Sequence, residues 1–155
     1  MGKEEEKKLA PWTSAVAKIK PLLLDGKCAR TADLTDDEKA AIYDMFLLTM
    51  KPTLYVANVD EDTVANGTNQ YVEVVKKYAA EENSEVVVIC GKFEADLAEI
   101  TEEADRKDFM ESVGLEESGL AVLARKAYHL MGYRTFFTGG PDECRAWTIR
   151  NGDKA

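Results

Sequence analysis

Two apolar runs separated by a helical pattern constrain the fold of this 155-residue chain more than any other feature. The run 52–58 predicts a buried strand, and the run 85–90, Glu-Val-Val-Val-Ile-Cys, has the continuous apolar character of a parallel strand covered on both faces. Between them, a helix is predicted from about 69 to 82. The apolar residues that share its helical spacing are Tyr71, Val74, Val75, Tyr78 and Ala79. Strand, helix and strand together predict a βαβ unit, with a right-handed crossover, in an α/β fold.

The residues before the first strand predict a helical segment. Apolar residues have helical spacing up to about residue 23, but Pro11 and Pro21 interrupt the pattern, and we expect Pro21 to kink or end the helix. Thr35-Asp-Asp-Glu38 is a capping box, which predicts a second helix running to about Thr49.

After the second strand, the sequence predicts helices and then a hairpin. Gly91-Lys92-Phe93 is predicted as a short loop before a helix at 94–100, and Thr101 is predicted to cap the next helix, which ends near 113–114. A last helix is marked by an apolar stripe and closed by Gly132. The runs 133–138 and 143–149, joined by Gly-Gly-Pro-Asp, predict a β-hairpin with Phe136 and Trp147 on its apolar face. Two short sheets leave strand edges uncovered, which predicts self-association or a partner chain that completes the sheets.

The bulk composition excludes several classes of protein. No apolar run reaches the roughly 18 residues of a membrane helix, and the polar start of the chain is expected to be no signal peptide. Cys28, Cys90 and Cys144 are widely spaced, which predicts reduced thiols in a cytoplasmic protein. The net charge of −9 argues against broad binding to nucleic acid, although the part from Gly119 onward has a balance of +3. This basic C-terminal third could contact ribosomes or RNA; a solvated face without a partner is the alternative.

The end of the first strand carries the strongest functional signal. Ligands of open α/β sheets bind at the carboxyl ends of the strands, and the residues here are Asn58, Val59, Asp60 and Glu61. In guanine-specific G domains, the corresponding loop is Asn-Lys-x-Asp, whose Asp accepts two hydrogen bonds from guanine. A longer Glu61 carboxylate would lose that bidentate geometry, and strong guanine preference with it. Asn58 would contact the base or brace the neighbouring loop. A polar strand-end turn capped by Asn58 is the alternative.

The end of the second strand offers a second loop at the same edge. Cys90, Gly91 and Lys92 stand where G domains have Ser-Ala-Lys, whose backbone N–H meets the base, and glycine permits close approach. Since parallel strands place their carboxyl ends together, we expect this loop to lie beside residues 58–61. An ordinary strand-to-helix turn is the alternative.

The sequence shows no residues arranged for phosphate binding, metal binding or nucleophilic catalysis. There is no Gly-x-x-x-x-Gly-Lys-[Ser/Thr] motif, so no phosphate cradle or magnesium ligand can be assigned. His129 is the single histidine and lies on an apolar helical pattern, where a packing or surface role is expected. We therefore predict neither catalytic residues nor a metal site within these 155 residues.

Three segments resemble the YchF family of the P-loop GTPase superfamily, also called Obg-like ATPases. They are 46–61, 90–100 and 135–149. The last is Thr-Phe-Phe-Thr-Gly-Gly-Pro-Asp-Glu-Cys-Arg-Ala-Trp-Thr-Ile, which is similar to the opening hairpin of that family's TGS domain, a ubiquitin-like β-grasp module. The resemblance covers about residues 25–155.

The resemblance implies a domain organisation and an activity. Residues 1–50 would be a helical segment of the coiled-coil insertion, 51–132 the C-terminal part of the G domain, and 133–155 the N-terminal hairpin of a TGS domain. The family hydrolyses ATP in preference to GTP, with Mg²⁺, and is associated with ribosomes. Carried over, Asn58, Val59, Asp60 and Glu61 would read the base, with Cys90, Gly91 and Lys92 as the second base loop. The P-loop, the Mg²⁺ ligands and most of the TGS domain have no counterpart here, so we expect no hydrolysis by these residues alone.

Three hypotheses remain at this point. The chain is the base-recognition part of a YchF-type ATPase or GTPase, or a ribosome- or RNA-binding module, or a fragment without activity of its own.

Overall fold

The computed structural model describes the backbone of residues 3–154 and the side chains of residues 9–154. Met1, Gly2 and Ala155, the outermost residues of the predicted first and last segments, lie outside the described residues. The chain divides into two compact units, Met1–Pro52 and Thr53–Ala155. The three-segment organisation predicted from the sequence stays a prediction.

The first unit is helical. It consists of α1 (Lys3–Leu24), a 3₁₀ turn at Ala29–Thr31, α2 (Asp36–Ala41), and two further 3₁₀ turns at Tyr43–Met45 and Leu48–Met50. The buried residues that form its core are Ala15, Ile19, Ala29, Leu34 and Ile42.

The prediction that Pro21 ends the first helix is wrong, and the alternative that it kinks the helix stays a prediction. Helix α1 is assigned as one helix of 22 residues, with Pro11 and Pro21 both inside it. A proline removes one backbone donor, so the carbonyl group four residues earlier loses its partner. For Pro21 that carbonyl belongs to Ala17, which is exposed, so water can take the place of the missing donor.

The capping box at Thr35 is confirmed, but the helix it begins is shorter than predicted. The Thr35 side chain accepts from the Glu38 N–H at 3.3 Å, and the Glu38 carboxylate accepts from the Thr35 N–H at 2.8 Å. Helix α2 nevertheless ends at Ala41 rather than near Thr49. Phe46 has φ of +46°, a left-handed conformation that no continuous right-handed helix accommodates.

The second unit contains the predicted βαβ arrangement. Strand β1 (Leu54–Asn58) pairs in parallel with β2 (Glu85–Ile89), in a register from Leu54↔Glu85 to Asn58↔Ile89. Two helices connect them: a short α3 (Glu61–Asn66), which the sequence analysis missed, and α4 (Gln70–Glu81), which confirms the predicted helix. The mixed α/β class is therefore confirmed.

The prediction that β1 is buried is wrong, because Val56 and Asn58 are exposed and the other three residues are half-buried. The predicted apolar stripe of α4 is not its buried face, because Tyr71, Val74 and Tyr78 are exposed and the buried residues are Val72 and Ala79.

Three helices follow β2, and two of their starts differ from the prediction. They are α5 (Gly91–Glu99), α6 (Glu103–Ser112) and α7 (Gly119–Leu130). Residues 91–93 are not a loop, because α5 already begins at Gly91 with Cys90 as its N-cap. The N-cap of α6 is Glu102 rather than Thr101.

A hydrophobic cluster lies behind the ends of the two parallel strands. Its buried residues are Val64, Cys90, Phe93 and Leu97. The Phe93 ring, 2% exposed, stacks on Phe109 with ring centroids 4.8 Å apart. This cluster packs the first turn of α5 against the neighbouring elements.

The predicted hairpin is confirmed. Strand β3 (Tyr133–Gly139) pairs antiparallel with β4 (Cys144–Arg150), and Phe136 lies opposite Trp147. The two rings stack with centroids 6.5 Å apart, and the Trp147 indole N–H donates to the Thr138 hydroxyl at 2.8 Å. Both strands are exposed along most of their length. None of the described helices combines the length and apolar character needed to cross a membrane.

Candidate functional site

The two predicted loops lie together at one edge of the parallel sheet. Strands β1 and β2 end side by side, because their register aligns Asn58 with Ile89. The residues that follow them surround an open pocket of about 350 Å³. Its lining residues are Asn58, Val59, Asp60, Glu61, Asp62, Cys90 and Lys92. Six of the seven predicted site residues line it, Gly91 lies beside it, and Asp62 is an addition.

Asn58 joins the two loops directly. Its side-chain Oδ1 accepts a hydrogen bond from the Gly91 N–H at 3.0 Å. A Cβ atom at position 91 would lie 3.3 Å from this oxygen, tighter than an ordinary contact, so glycine suits the close approach. Asn58 therefore has the bracing role that the sequence analysis allowed for it.

Val59 connects the first loop to the core. Its N–H donates to the Ile89 carbonyl at 2.8 Å, which continues the parallel pairing by one residue. Its side chain packs against the cluster that contains Phe93. The loop therefore leaves the sheet in a defined direction.

Asp60 is used for local structure. It is the N-cap of α3, and its Oδ1 accepts from the Thr63 N–H at 2.8 Å. Hydrogen bonds from Thr63, through its side chain and its backbone, lower the pKa of Asp60. These contacts fix the first turn of α3, which carries Glu61.

Glu61 and Lys92 form an ion pair between the two loops. The Lys92 Nζ lies 2.8 Å from the Glu61 Oε1, and the two side chains are 75% and 46% exposed respectively. The hydrogen bond to Glu61, and then its charge, raise the pKa of Lys92. The Glu61 carboxylate is therefore reachable from solvent, with one of its oxygens paired.

Cys90 and Gly91 form the start of α5. The Cys90 Sγ accepts from the Phe93 N–H at 3.5 Å, and Cys90 is only 3% exposed. Its place at the pocket is therefore in the wall rather than at the mouth. All three cysteines are free thiols.

Two residues behind the pocket escaped the sequence analysis. Glu94 is buried, and its Oε1 accepts from the Gly119 N–H at 2.6 Å, which links α5 to the start of α7. A Cβ atom on Gly119 would lie 2.8 Å from the Ile89 Cγ2, so this position has no room for a larger residue. An acidic residue in the first turns of a helix and a glycine near a serine cap are common, and neither pattern signals this contact.

The described residues show no group of three or more His, Cys, Asp or Glu side chains that could hold a metal ion. His129 lies exposed on α7, away from the residues that line the pocket. The arrangement suits recognition of a polar, planar group by backbone amides, one amide side chain and one carboxylate.

Comparisons with known proteins relate this chain to one family. No family model matches the chain. The ribosome-binding ATPase YchF of Bacillus subtilis is 40% identical over 156 residues, covering 100% of this chain and 42% of that protein. The protein of the same name from Escherichia coli O157:H7 is 44% identical over 142 residues, covering 92% of this chain and 38% of the relative.

A solved structure shows the same fold. The YchF GTPase of Schizosaccharomyces pombe superposes with a TM-score of 0.85 at 27% identity, covering 99% of this chain and 41% of that one. The fold is therefore that of the corresponding part of a YchF GTPase. The resemblance to the YchF family is confirmed, and the chain spans about two fifths of the length of the curated relatives it matches.

Proposed function

We propose that this chain supplies base recognition to a purine-nucleotide site of the YchF type, with ATP or GTP as the ligand. The observation that supports the proposal most directly is the hydrogen bond from the Gly91 N–H to Asn58. It joins two strand-end segments that the resemblance assigns to base reading, at an open pocket of about 350 Å³. Ligands of open α/β sheets bind at this edge.

Each residue has a distinct part in the proposed site. Glu61 accepts a hydrogen bond from an exocyclic amine of the base, while Asn58 holds the second segment in place. Val59 fixes the loop through the core.

In the first turn of α5, the Gly91 N–H donates to Asn58 and the Phe93 N–H to the Cys90 Sγ, so the Lys92 N–H is the amide assigned to the base. Position 91 suits the approach of a base, because glycine leaves the backbone accessible.

The phosphates and the metal fall outside what these residues can bind. The sequence holds no phosphate-binding loop, and the described residues show no carboxylate cluster for Mg²⁺. We propose that the nucleotide binds as its Mg²⁺ complex and assign neither the metal nor the phosphates a ligand here. Hydrolysis, the activity in the names of the relatives, would accordingly need groups that this chain does not show.

A ribosome- or RNA-binding role is the second candidate. The exposed hairpin carries Arg134, Arg145 and Arg150, and the curated relatives are named as ribosome-binding. A cytoplasmic location would follow from such a partner. Binding through these arginines should weaken steeply between 50 and 200 mM salt, because it releases counterions from the phosphates; binding unchanged by salt would contradict this candidate.

A partner that completes the sheets is the third proposal. Among the described residues, each sheet has two strands, so each strand has one unpaired edge. A second copy or another chain could add a strand there. Sedimentation equilibrium of the purified chain should then show concentration-dependent association; a strictly monomeric chain would exclude the self-association.

The base site is tested by a thermal melt with and without millimolar Mg-ATP and Mg-GTP. A ligand that binds only the folded state stabilises it by about 2.7 kcal/mol at 100 times its dissociation constant. We expect a raised transition for the wild-type chain and for Glu81→Ala, an exposed acidic position outside the pocket, but not for Glu61→Ala. If the nucleotide raised the thermal transition of Glu61→Ala and Glu81→Ala equally, the nucleotide would bind outside the proposed site. If it did not raise the transition of the wild-type chain, binding by this chain would be refuted.

A further inference from the structure

A buried carboxylate lies directly behind the second loop of the pocket. Glu94 follows Lys92 by two residues in α5 and is 7% exposed. Its Oε1 accepts from the Gly119 N–H at 2.6 Å, and no other described residue forms a hydrogen bond with this side chain. An apolar residue could fill the same space without the cost of burying a charge. What the carboxylate adds is direction, because a buried, charge-assisted hydrogen bond holds its two partners in one arrangement.

The contact at Gly119 also reaches the end of the second parallel strand. A Cβ atom at position 119 would lie 2.8 Å from the Ile89 Cγ2 and 3.0 Å from the Glu94 Oε1, so α5, α7 and β2 meet there without spare room. The Ile89 carbonyl in turn accepts from the Val59 N–H at 2.8 Å. Glu94 therefore ties α5 to the point at which both loops leave the sheet.

On its outer side, the second loop is held by contacts at the surface. They are the hydrogen bond from the Gly91 N–H to Asn58 and the ion pair between Lys92 and Glu61. Exposed contacts of this kind contribute little, because water competes for both partners. The Lys92 N–H belongs to the first turn of α5, so its direction follows the direction of that helix. The anchor at Glu94 fixes the helix from the buried side.

We propose that Glu94 is a positioning residue of the nucleotide site, which fixes the start of α5, and with it the Lys92 N–H, through its hydrogen bond to Gly119. The inference rests on the proposed function of the site. Glu94 itself is not among the residues that line the pocket. Without the anchor, α5 adopts further orientations, and the affinity for nucleotide falls with the fraction of chains whose loop is in the binding arrangement.

Two substitutions of Glu94 separate the reach of the side chain from its charge. Glu94→Asp keeps the charge but is one methylene group shorter, so its carboxylate reaches the Gly119 N–H only if α5 or α7 shifts. Glu94→Gln keeps the length and an acceptor oxygen, and removes the charge.

Glu82→Asp is the matched control for the shortened side chain. Glu82 is a buried glutamate of the same unit, 8% exposed, and it accepts from the hydroxyl groups of Tyr55 and Tyr78. It lies just before the start of β2 and outside the residues that line the pocket. Its substitution therefore makes the same chemical change in the same unit, away from the site.

The experiment titrates Mg-ATP and Mg-GTP into the ¹⁵N-labelled full chain and its variants. Amide shifts of residues 58–61 and 90–92 report the dissociation constants, and the spectrum without ligand shows that each variant is folded. Hydrogen exchange of the Gly119 amide reports whether the contact with position 94 is made.

We expect Glu94→Asp to bind nucleotide about two- to tenfold more weakly than the wild type, with faster exchange of the Gly119 amide. Glu94→Gln should keep this amide protected and restore the affinity, and Glu82→Asp should bind as the wild type does.

Three results would overturn the role of Glu94 and leave the nucleotide site standing. They are wild-type affinity in Glu94→Asp although the Gly119 amide is unprotected, an equal loss of affinity in Glu82→Asp, and a Glu94→Gln variant that binds as weakly as Glu94→Asp. If neither nucleotide shifted the amides of the wild type, the proposed function would fail and this inference with it.

Discussion

The carboxylates of Glu38 and Glu61 both stand in the first turn of a short helix, one in each unit, yet their surroundings differ. Glu38 is 6% exposed and accepts hydrogen bonds from Ser14, Lys18 and the Thr35 N–H. Glu61 is exposed and pairs through one oxygen with Lys92. A carboxylate whose acceptor positions are taken up by its own chain stabilises the fold, whereas one that is partly free can meet a ligand.

The two units also differ in the interactions that stabilise them. In the first unit, a charged group is part of the interior and ties α1 to α2. In the second unit, the site's polar groups lie at the surface, and the packing of Phe93 and the close contact at Gly119 hold the strand ends from behind. Loss of this packing should therefore cost the second unit more than loss of a polar site residue.

The largest effect is expected for Phe93→Ala. Removal of a buried aromatic ring typically costs about 3–5 kcal/mol of unfolding free energy. Phe93 is 2% exposed and stacks on Phe109, so its loss should fall in this range. Urea denaturation followed by Trp147 fluorescence, in a Trp12→Phe background, measures the second unit.

Phe137→Ala is the control for Phe93→Ala. Phe137 is 72% exposed on the hairpin of the same unit, and exposed substitutions usually change stability by less than about 0.5 kcal/mol. Equal losses for the two variants would show that packing behind the strand ends is not what holds the second unit.

Gly119→Ala should have the next largest effect. The new Cβ would lie 2.8 Å from the Ile89 Cγ2 and 3.0 Å from the Glu94 Oε1, so β2 or α7 must shift. Overpacking of this kind costs about 1–3 kcal/mol. In Gly139→Ala, the control, the added methyl group meets nothing within 4 Å. The same urea titration compares them, and a neutral Gly119→Ala would mean that this contact relaxes freely.

The first unit should respond to acid through Glu38. Hydrogen bonds from Lys18, then Ser14 and Thr35, lower the pKa of Glu38 from 4.5 to about 2. Between these values, the unfolded chain takes up a proton that the folded chain does not, so stability is present above pH 4.5 and is lost as the pH falls toward about 2.

Urea titrations from pH 6 to pH 3, with Trp12 as the reporter in a Trp147→Phe background, test this dependence. We expect Glu38→Gln to be less stable at pH 6 and to show a flatter pH profile. Asp36→Asn, at an exposed position of the same turn, should keep the wild-type profile. A Glu38→Gln profile as steep as the wild type would show that other carboxyl groups dominate the acid response.

The elements around the site could be predicted because their apolar patterns are local in the sequence. The continuous apolar run of β2 predicted a strand, and the helical spacing of apolar residues in α4 predicted a helix, although Tyr71, Val74 and Tyr78 of that spacing are exposed. Once β1 and β2 are parallel neighbours, the meeting of residues 58–61 with 90–92 follows from geometry. The candidate site could thus be placed from sequence.

The errors have physical causes of a different kind. Gly91 suggested a loop because glycine disfavours helix interiors, but the first turn of a helix has free N–H groups, and here one of them donates to Asn58. Pro21 suggested a break, yet α1 continues through it, and Ala17, whose carbonyl group loses its usual helical donor, is an exposed residue. The Glu61–Lys92 and Glu94–Gly119 contacts depend on the positions of separate helices, and no local pattern encodes them.

The smallest effect on stability is expected for Asn58→Ala. Its hydrogen bond to Gly91 lies at the exposed edge of the sheet, and a single hydrogen bond contributes about 0.5–1.5 kcal/mol. Hydrogen exchange measures this contact more directly than a stability measurement. In Asn58→Ala the Gly91 amide loses its acceptor, so we expect it to exchange faster. The Val59 amide keeps the Ile89 carbonyl as its acceptor and serves as an internal control. In Asn58→Asp the carboxylate still accepts from Gly91, so protection should return. If the Gly91 amide stayed protected in Asn58→Ala, packing alone would position α5, and the Asn58 side chain would be available to bind a ligand. If the Gly91 and Val59 amides both lost protection, Asn58 would instead stabilise the whole edge of the sheet.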